Sequence, residues 1–140
     1  MDAIVATAAR PAWSRGILVA CGLALGPAAA TGLARFAYAL ILPAMRDDLG
    51  WSYAQAGWVS TANALGYLAG AVVALRVTAT LDPRRLFFAA MAATALLLIV
   101  SGMVHDFNAL LALRVLTGIS SALVFINGGV LAANVFPKQS

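Results

Sequence analysis

Three stretches of this chain, residues 49–75, 86–105 and 115–137, contain no Asp, Glu, Lys or Arg. Each reaches the roughly 18–20 residues that a helix needs to cross the hydrocarbon core of a bilayer. Inside lipid every backbone amide and carbonyl must be paired within the protein, and a helix does this within one segment. A fourth uncharged stretch, residues 16–34, is apolar and continues past Arg35 to Met45. The expected architecture is an all-α integral membrane protein with four transmembrane helices, at 16–45, 53–75, 86–104 and 108–135. Tails at 1–15 and 136–140 and a loop at 76–85 complete the chain. With 63% apolar and only 10% charged residues, the composition excludes an ordinary soluble globule, in which roughly a quarter of the residues are charged.

The net charge of +4 does not indicate nucleic acid, because such binding needs a clustered basic patch and these cations are scattered between apolar spans. They orient the chain instead, since short cytoplasmic loops collect Lys and Arg. Arg10 and Arg15 precede the first span, Arg76, Arg84 and Arg85 separate the second from the third, and Lys138 follows the fourth; the opposite side has Arg46 with Asp47 and Asp48, then His105 and Asp106. Both termini are thus expected in the cytoplasm of a cell whose inner membrane holds the protein. The start of the chain also has the basic, apolar and small-residue order of a cleavable signal peptide, but the apolar run continues beyond Ala30 through Phe36, Tyr38 and Leu42 to Pro43, as a span does. The single Cys21 excludes a disulfide framework and a CxxC metal site.

Helix punctuation agrees with four spans. Ser52 and Gln55 have the spacing of a capping box, which predicts a helix start near Tyr53. Asp82 followed by Pro83 is an N-cap before a residue suited to the first helical turn. Asp106 and Asn108 offer capping chemistry for the fourth span. Loops of about five to ten residues make sequential helices antiparallel. Small residues then suggest which faces meet: Gly22 with Gly26, Gly66 with Gly70, and Gly118 with Ala122 are four apart, a spacing that lets helix backbones approach closely.

Polar groups within the spans carry the functional signal, because a charge there costs at least about 2.5–3.5 kcal/mol and usually faces a cavity or a partner. Arg35 and Arg114 are the two such charges. At about 100° per residue, Thr31, Arg35 and Tyr38 share a face of the first span, and Arg114, Thr117, Gly118 and Ser121 a face of the fourth. Ser60, Asn63, Tyr67 and Gly70 do the same on the second, whereas Leu86 to Val104 carries only Thr94 as a polar side chain besides Ser101. The third span is therefore expected to be the most exposed to lipid. Two guanidinium groups facing a poorly solvated space attract a carboxylate or another anion, which Arg holds bidentately; the alternative for each is to snorkel to the interface. The candidate cavity residues are Thr31, Arg35, Tyr38, Asn63, Tyr67, Arg114 and Ser121, and the cargo a small molecule, anionic in this reading.

The chain has no Glu, and its five Asp lie outside the predicted spans, so no buried carboxylate is expected as a proton carrier. No P-loop, no nucleophile with a partnered base and no metal-ligand set occurs. No cofactor is expected and enzymatic function has no support.

The run from Arg35 to Pro43, then Asp48-Leu-Gly-Trp-Ser52, Gln55-Ala-Gly57 and Thr61-Ala-Asn-Ala-Leu-Gly-Tyr-Leu68, resembles the beginning of a major facilitator superfamily (MFS) transporter of the YbfB/YjiJ-like branch. Leu111-Ala-Leu-Arg114 followed by Gly118 resembles the fourth-helix motif of that superfamily. The resemblance implies the first four helices of a twelve-helix fold, in which helices one and four line the central cavity and helix three lies outside. It also implies alternating access between two six-helix halves. The loop after helix two departs from the superfamily pattern: Asp82, Arg84 and Arg85 keep its basic end, while Arg76 and Thr80 stand where a Gly and an Asp are expected. The chain is thus expected to be an N-terminal portion that does not transport alone, with missing C-terminal helices as partners in the bilayer. A self-sufficient four-helix membrane protein, either a small dimeric exporter or a non-transporting assembly partner, is the alternative.

Overall fold

The computed structural model describes residues 12–32, 36 and 38–134. Among these it contains five helices and no strand: α1 (Ala12–Thr31), α2 (Tyr38–Leu49), α3 (Tyr53–Val77), α4 (Pro83–Ser101) and α5 (Phe107–Ala133). Three of them, α3, α4 and α5, are long and apolar enough to cross a membrane, and α1 contributes a shorter apolar segment, Ile17–Ala29. Large apolar side chains such as Leu40, Leu75, Phe88 and Ile99 are exposed on the outer surface, the arrangement of a protein whose solvent there is lipid.

The stretch expected as the first span, 16–45, holds most of α1 and the first part of α2. Pro27 lies inside α1; it has no amide to donate to the preceding turn, and its ring crowds that turn. Gly32 and Phe36 then carry the wider π-helical turn, which accommodates an extra residue per turn and weakens the regular ladder. Residues 33–35 and 37 lie outside the described residues, and with them the Arg35 singled out above. The second half, α2, runs beyond Met45 through Arg46, Asp47 and Asp48 to Leu49.

The other helices start where local chemistry directs. Ser52 Oγ accepts from the Gln55 amide at 3.2 Å while Gln55 Oε1 accepts from the Ser52 amide at 2.9 Å, completing a capping box at the start of α3. Asp82 Oδ1 accepts from the Arg84 amide at 3.0 Å, with Pro83 in the first turn of α4. Asp106 Oδ1 accepts from the Ala109 amide at 2.8 Å at the start of α5. Between α2 and α3 the chain reverses through Gly50, whose φ of 65° suits a residue without a Cβ. At this end the Trp51 ring meets Phe107 edge-on at 5.5 Å. The Arg46 guanidinium pairs with Asp47 and stands 4.1 Å over the Tyr53 ring; the hydrogen bond that Arg46 donates to the Asp47 carboxylate is the main cause of its raised pKa.

The bundle is organised around α5, which packs most extensively on α3, then on α4 and α1, while no comparable interface joins α3 to α4. One apolar cluster unites Val59 of α3 with Leu110 of α5 under Trp51 and Phe107; the other unites Phe87 and Ala90 of α4 with Val124 of α5, flanked by Leu23 of α1. Of the three long helices α4 is the least buried, but the expectation that the third span is the most exposed of the four is not met: among the described residues of α1 and α2 only Gly26 is buried. The two polar residues of the apolar stretch of α4, Thr94 and Ser101, are nonetheless both buried.

Candidate functional site

The α3–α5 seam fixes the site. Asn63, Gly66 and Gly70 of α3 are buried against α5. A Cβ on Gly66 would strike the Val115 carbonyl, one on Gly118 the Asn63 carbonyl, and one on Gly70 would lie 2.6 Å from the Ile119 Cα. These backbones approach so closely that no side chain larger than hydrogen fits at any of the three positions, the device by which membrane helices associate. Across the seam Asn63 Nδ2 donates to the carbonyl of Arg114 at 3.2 Å. Asn63 is therefore committed to holding α5, and through the backbone it holds Arg114 in place.

Beside that seam α5 presents Arg114, Thr117 and Ser121, all buried; Arg114 is only 3% exposed. The hydroxyls around them are paired with helix carbonyls in most cases. Thr117 Oγ1 donates to the Leu113 carbonyl at 2.7 Å, and Ser120 Oγ donates to the Thr117 carbonyl at 3.1 Å. Thr94 Oγ1 of α4 lies 2.8 Å from the Ala90 carbonyl and 2.9 Å from Ser120 Oγ, so α4 is tied to the opposite flank of α5. Two hydroxyls break the pattern: Ser121 Oγ and Thr31 Oγ1 are buried without a hydrogen-bond partner.

Of the residues singled out in the sequence, Asn63 and Arg114 meet at the α3–α5 seam, with Tyr67 half-buried one turn beyond Asn63, while Ser121 is buried on α5 about two turns beyond Arg114. Thr31 closes α1 and faces α5 from the other side. Tyr38 opens α2, but its side chain, like Arg35, lies outside the described residues. Ser60, placed on the Asn63 face by periodicity, is exposed. Asp82 is the N-cap of α4, and Arg84 and Arg85, expected in the loop, lie in the first turn of that helix. There Arg85 Nε stands 3.9 Å from Asp82 Oδ2 and both Arg side chains are exposed.

Sequence reasoning passed over two features. Between α1 and α5 runs an apolar groove of about 450 Å3, lined by Leu23, Ala24, Pro27, Ala28 and Thr31 on one side and Phe125, Gly128, Gly129 and Ala132 on the other. It exists because α1 and α5 come close only where small residues permit: a Cβ on Gly128 would lie 2.9 Å from Pro27 Cγ. The Ala24/Ala28 and Gly128/Ala132 spacings were the available signal. The second feature is Asn127, fully buried, whose Oδ1 accepts from Thr78 Oγ1 at 3.3 Å and whose Nδ2 donates to the Leu123 carbonyl at 2.8 Å. An amide side chain in an otherwise apolar run is a signal of such a tie.

Chemically, the arrangement offers a buried guanidinium, hydroxyls that both donate and accept, and an apolar wall. Among the described residues no group of three His, Cys, Asp or Glu side chains comes together to hold a metal ion. Arg114, Thr117, Ser120 and Ser121 are all buried along one helix of the bundle.

Comparison with known proteins agrees. The model of the family described as "Uncharacterised MFS-type transporter YbfB" matches residues 27–139, most of the chain. No curated protein and no solved structure matches it. With this match over the all-helical, lipid-facing bundle, the chain belongs to the YbfB family of MFS-type transporters, multi-pass proteins of the membrane.

Proposed function

We propose that the chain supplies one wall of the cavity of a secondary active transporter, working by alternating access on a small organic anion. The observation that carries this reading is the buried Arg114 on α5, held through its own carbonyl by Asn63 and followed on the same face by Thr117 and Ser121. A guanidinium kept in a membrane core is costly unless it serves a cavity, a partner or an ion pathway, and its planar fork suits a carboxylate. Arg35, Thr31 and Tyr38 on the facing first span complete the proposed cavity, with Tyr67 at its α3 edge. The α3–α5 seam is too tight to open, so the moving parts in this reading are whole halves, rocking about the site. The facing half comes from further helices, and these four helices alone do not move substrate.

The protein is read as lying in the bacterial inner membrane with both termini in the cytoplasm, supported by the distribution of Arg and Lys. The test is uptake of a radiolabelled carboxylate such as benzoate into proteoliposomes. The expected result is uptake only when the chain is combined with the C-terminal helices of a family member, reduced at least tenfold by Arg114→Gln. Flux by the four helices alone, abolished by Arg35→Ala, would overturn the half-cavity reading; flux unaffected by Arg114→Gln would overturn the anion reading.

A further inference from the structure

Three arginines share the end of the bundle where α3 turns into α4. Arg76 lies in the last turn of α3, Arg84 and Arg85 in the first turn of α4, and all three are exposed. Among the described residues the one carboxylate that approaches them is Asp82, 3.9 Å from Arg85, whose side chain is still 92% exposed. The opposite end, where Trp51 meets Phe107, has the reverse balance. Its one arginine, Arg46, is paired with Asp47, and Asp48 and Asp106 add negative charge there.

Charge sorting during insertion accounts for the sign of the α3–α4 end, but not for the order of the turn that carries it. Thr80 Oγ1 lies 3.2 Å from the Val77 carbonyl and 3.4 Å from that of Arg76, and the Leu81 amide donates to the Val77 carbonyl at 3.0 Å. Thr78 Oγ1 donates to the fully buried Asn127 of α5 at 3.3 Å. These ties hold the backbones of Arg76, Arg84 and Arg85 at one spacing. On the membrane side of the turn each helix continues in exposed apolar side chains. Val72 and Val73 stand one turn before Arg76, and Phe88 stands one turn after Arg84 and Arg85, on the same helix faces as those arginines.

We propose that this turn is a docking surface for an anionic phospholipid of the adjoining leaflet, with the headgroup phosphate between Arg76 and Arg84 and the acyl chains along Val72, Val73 and Phe88. A guanidinium holds a phosphate through two parallel hydrogen bonds. Arg85, partly offset by Asp82, contributes less. A soluble phosphate would satisfy the arginines and leave the apolar side chains beside them uncovered; a phospholipid meets both. The proposal is independent of the transport reading.

The test uses the full chain in phosphatidylcholine vesicles, with Cys21→Ser and a bimane label on Ala79→Cys in the turn or on Met103→Cys at the opposite end, both exposed positions. Quenching is compared between phosphatidylglycerol and phosphatidylcholine carrying a nitroxide at the same acyl carbon. Both lipids are present in both leaflets, so the result does not depend on the orientation of the chain. At Ala79→Cys, phosphatidylglycerol is expected to be preferred by at least about fivefold, the worth of one arginine beside an anionic surface. At Met103→Cys the two lipids are expected to quench equally. Arg76→Gln and Arg84→Gln, tested singly so that two arginines remain to orient the chain, each lower the preference, and Arg85→Gln lowers it least. Equal quenching by the two lipids at Ala79→Cys would overturn the proposal, as would a preference unchanged in both Arg76→Gln and Arg84→Gln. The same preference at Met103→Cys would show that no particular end selects the lipid, with the same consequence. Loss of the preference on adding millimolar glycerol 1-phosphate would assign the arginines to a soluble phosphate and also overturn it.

Discussion

Asn63 and Ser121 are both polar residues buried in the same bundle, and their opposite hydrogen-bonding states give them opposite roles. Asn63 donates across the helix seam to the Arg114 carbonyl, an acceptor that composition does not reveal because every residue has one. Periodicity placed Asn63 and Ser60 on one face of α3 and assigned that face to the cavity; in the structure Asn63 is turned into the seam and Ser60 is exposed. The 100° step is too coarse to separate neighbours at the edge of a buried stripe. Asn63→Ala is expected to lower unfolding stability by about 0.6–1 kcal/mol, the usual worth of a hydrogen bond between membrane helices, measured by steric trapping or denaturation in mixed micelles. Ser121→Ala is expected to lower it not at all. A larger loss for Ser121→Ala than for Asn63→Ala would show that the two assignments are reversed.

At the scale of elements, caps and close contacts were the most legible features. Ser52 with Gln55, Asp82 with Pro83, and Asp106 each marked a helix start by chemistry confined to four residues, and local chemistry survives into the fold unchanged. Glycine spacing was legible only in part. Gly66 and Gly118 occupy positions where a Cβ would collide with backbone, whereas Gly22, at the same four-residue spacing from Gly26, has open space before it. Spacing says that a close approach is permitted; only the partner helix decides where it happens. Gly118→Ala is expected to cost about 1–3 kcal/mol, as overpacking does, and to loosen α3 from α5. Gly129→Ala, where nothing lies within 4 Å, is expected to remain within about 0.5 kcal/mol of wild type. Thermal unfolding followed by circular dichroism distinguishes the two. Pro27, inside an apolar run, was compatible with a break as well as with continuation, and in the structure it lies within α1.

For the whole molecule, hydropathy alone was enough to fix the class, since the bilayer admits so few spanning structures. The charges marked out four spans; among the described residues three are long apolar helices and α1 contributes a shorter apolar segment. The arrangement of the helices around α5 did not follow from the charges, because it depends on which small residues face each other. Orientation is tested by reporters fused after Asp48 and after Asp82. The charge distribution predicts that the Asp82 fusion reports the cytoplasm and the Asp48 fusion the opposite side. Exchanging those two results would invert the topology.

The central position of α5 also sets a schedule for biogenesis. Chains are made from the N-terminus, and α3 and α4 have no substantial interface with each other, so both enter the bilayer before the helix they pack on has been synthesised. During that interval Asn63 and Thr94 have no α5 to meet, and the glycine faces of α3 lie against lipid. Nascent chains arrested before α5 emerges should therefore remain sensitive to membrane proteases, and resistance should appear in one step when Phe107–Ala133 has entered the bilayer. Gradual protection, helix by helix, would show that assembly does not wait for α5.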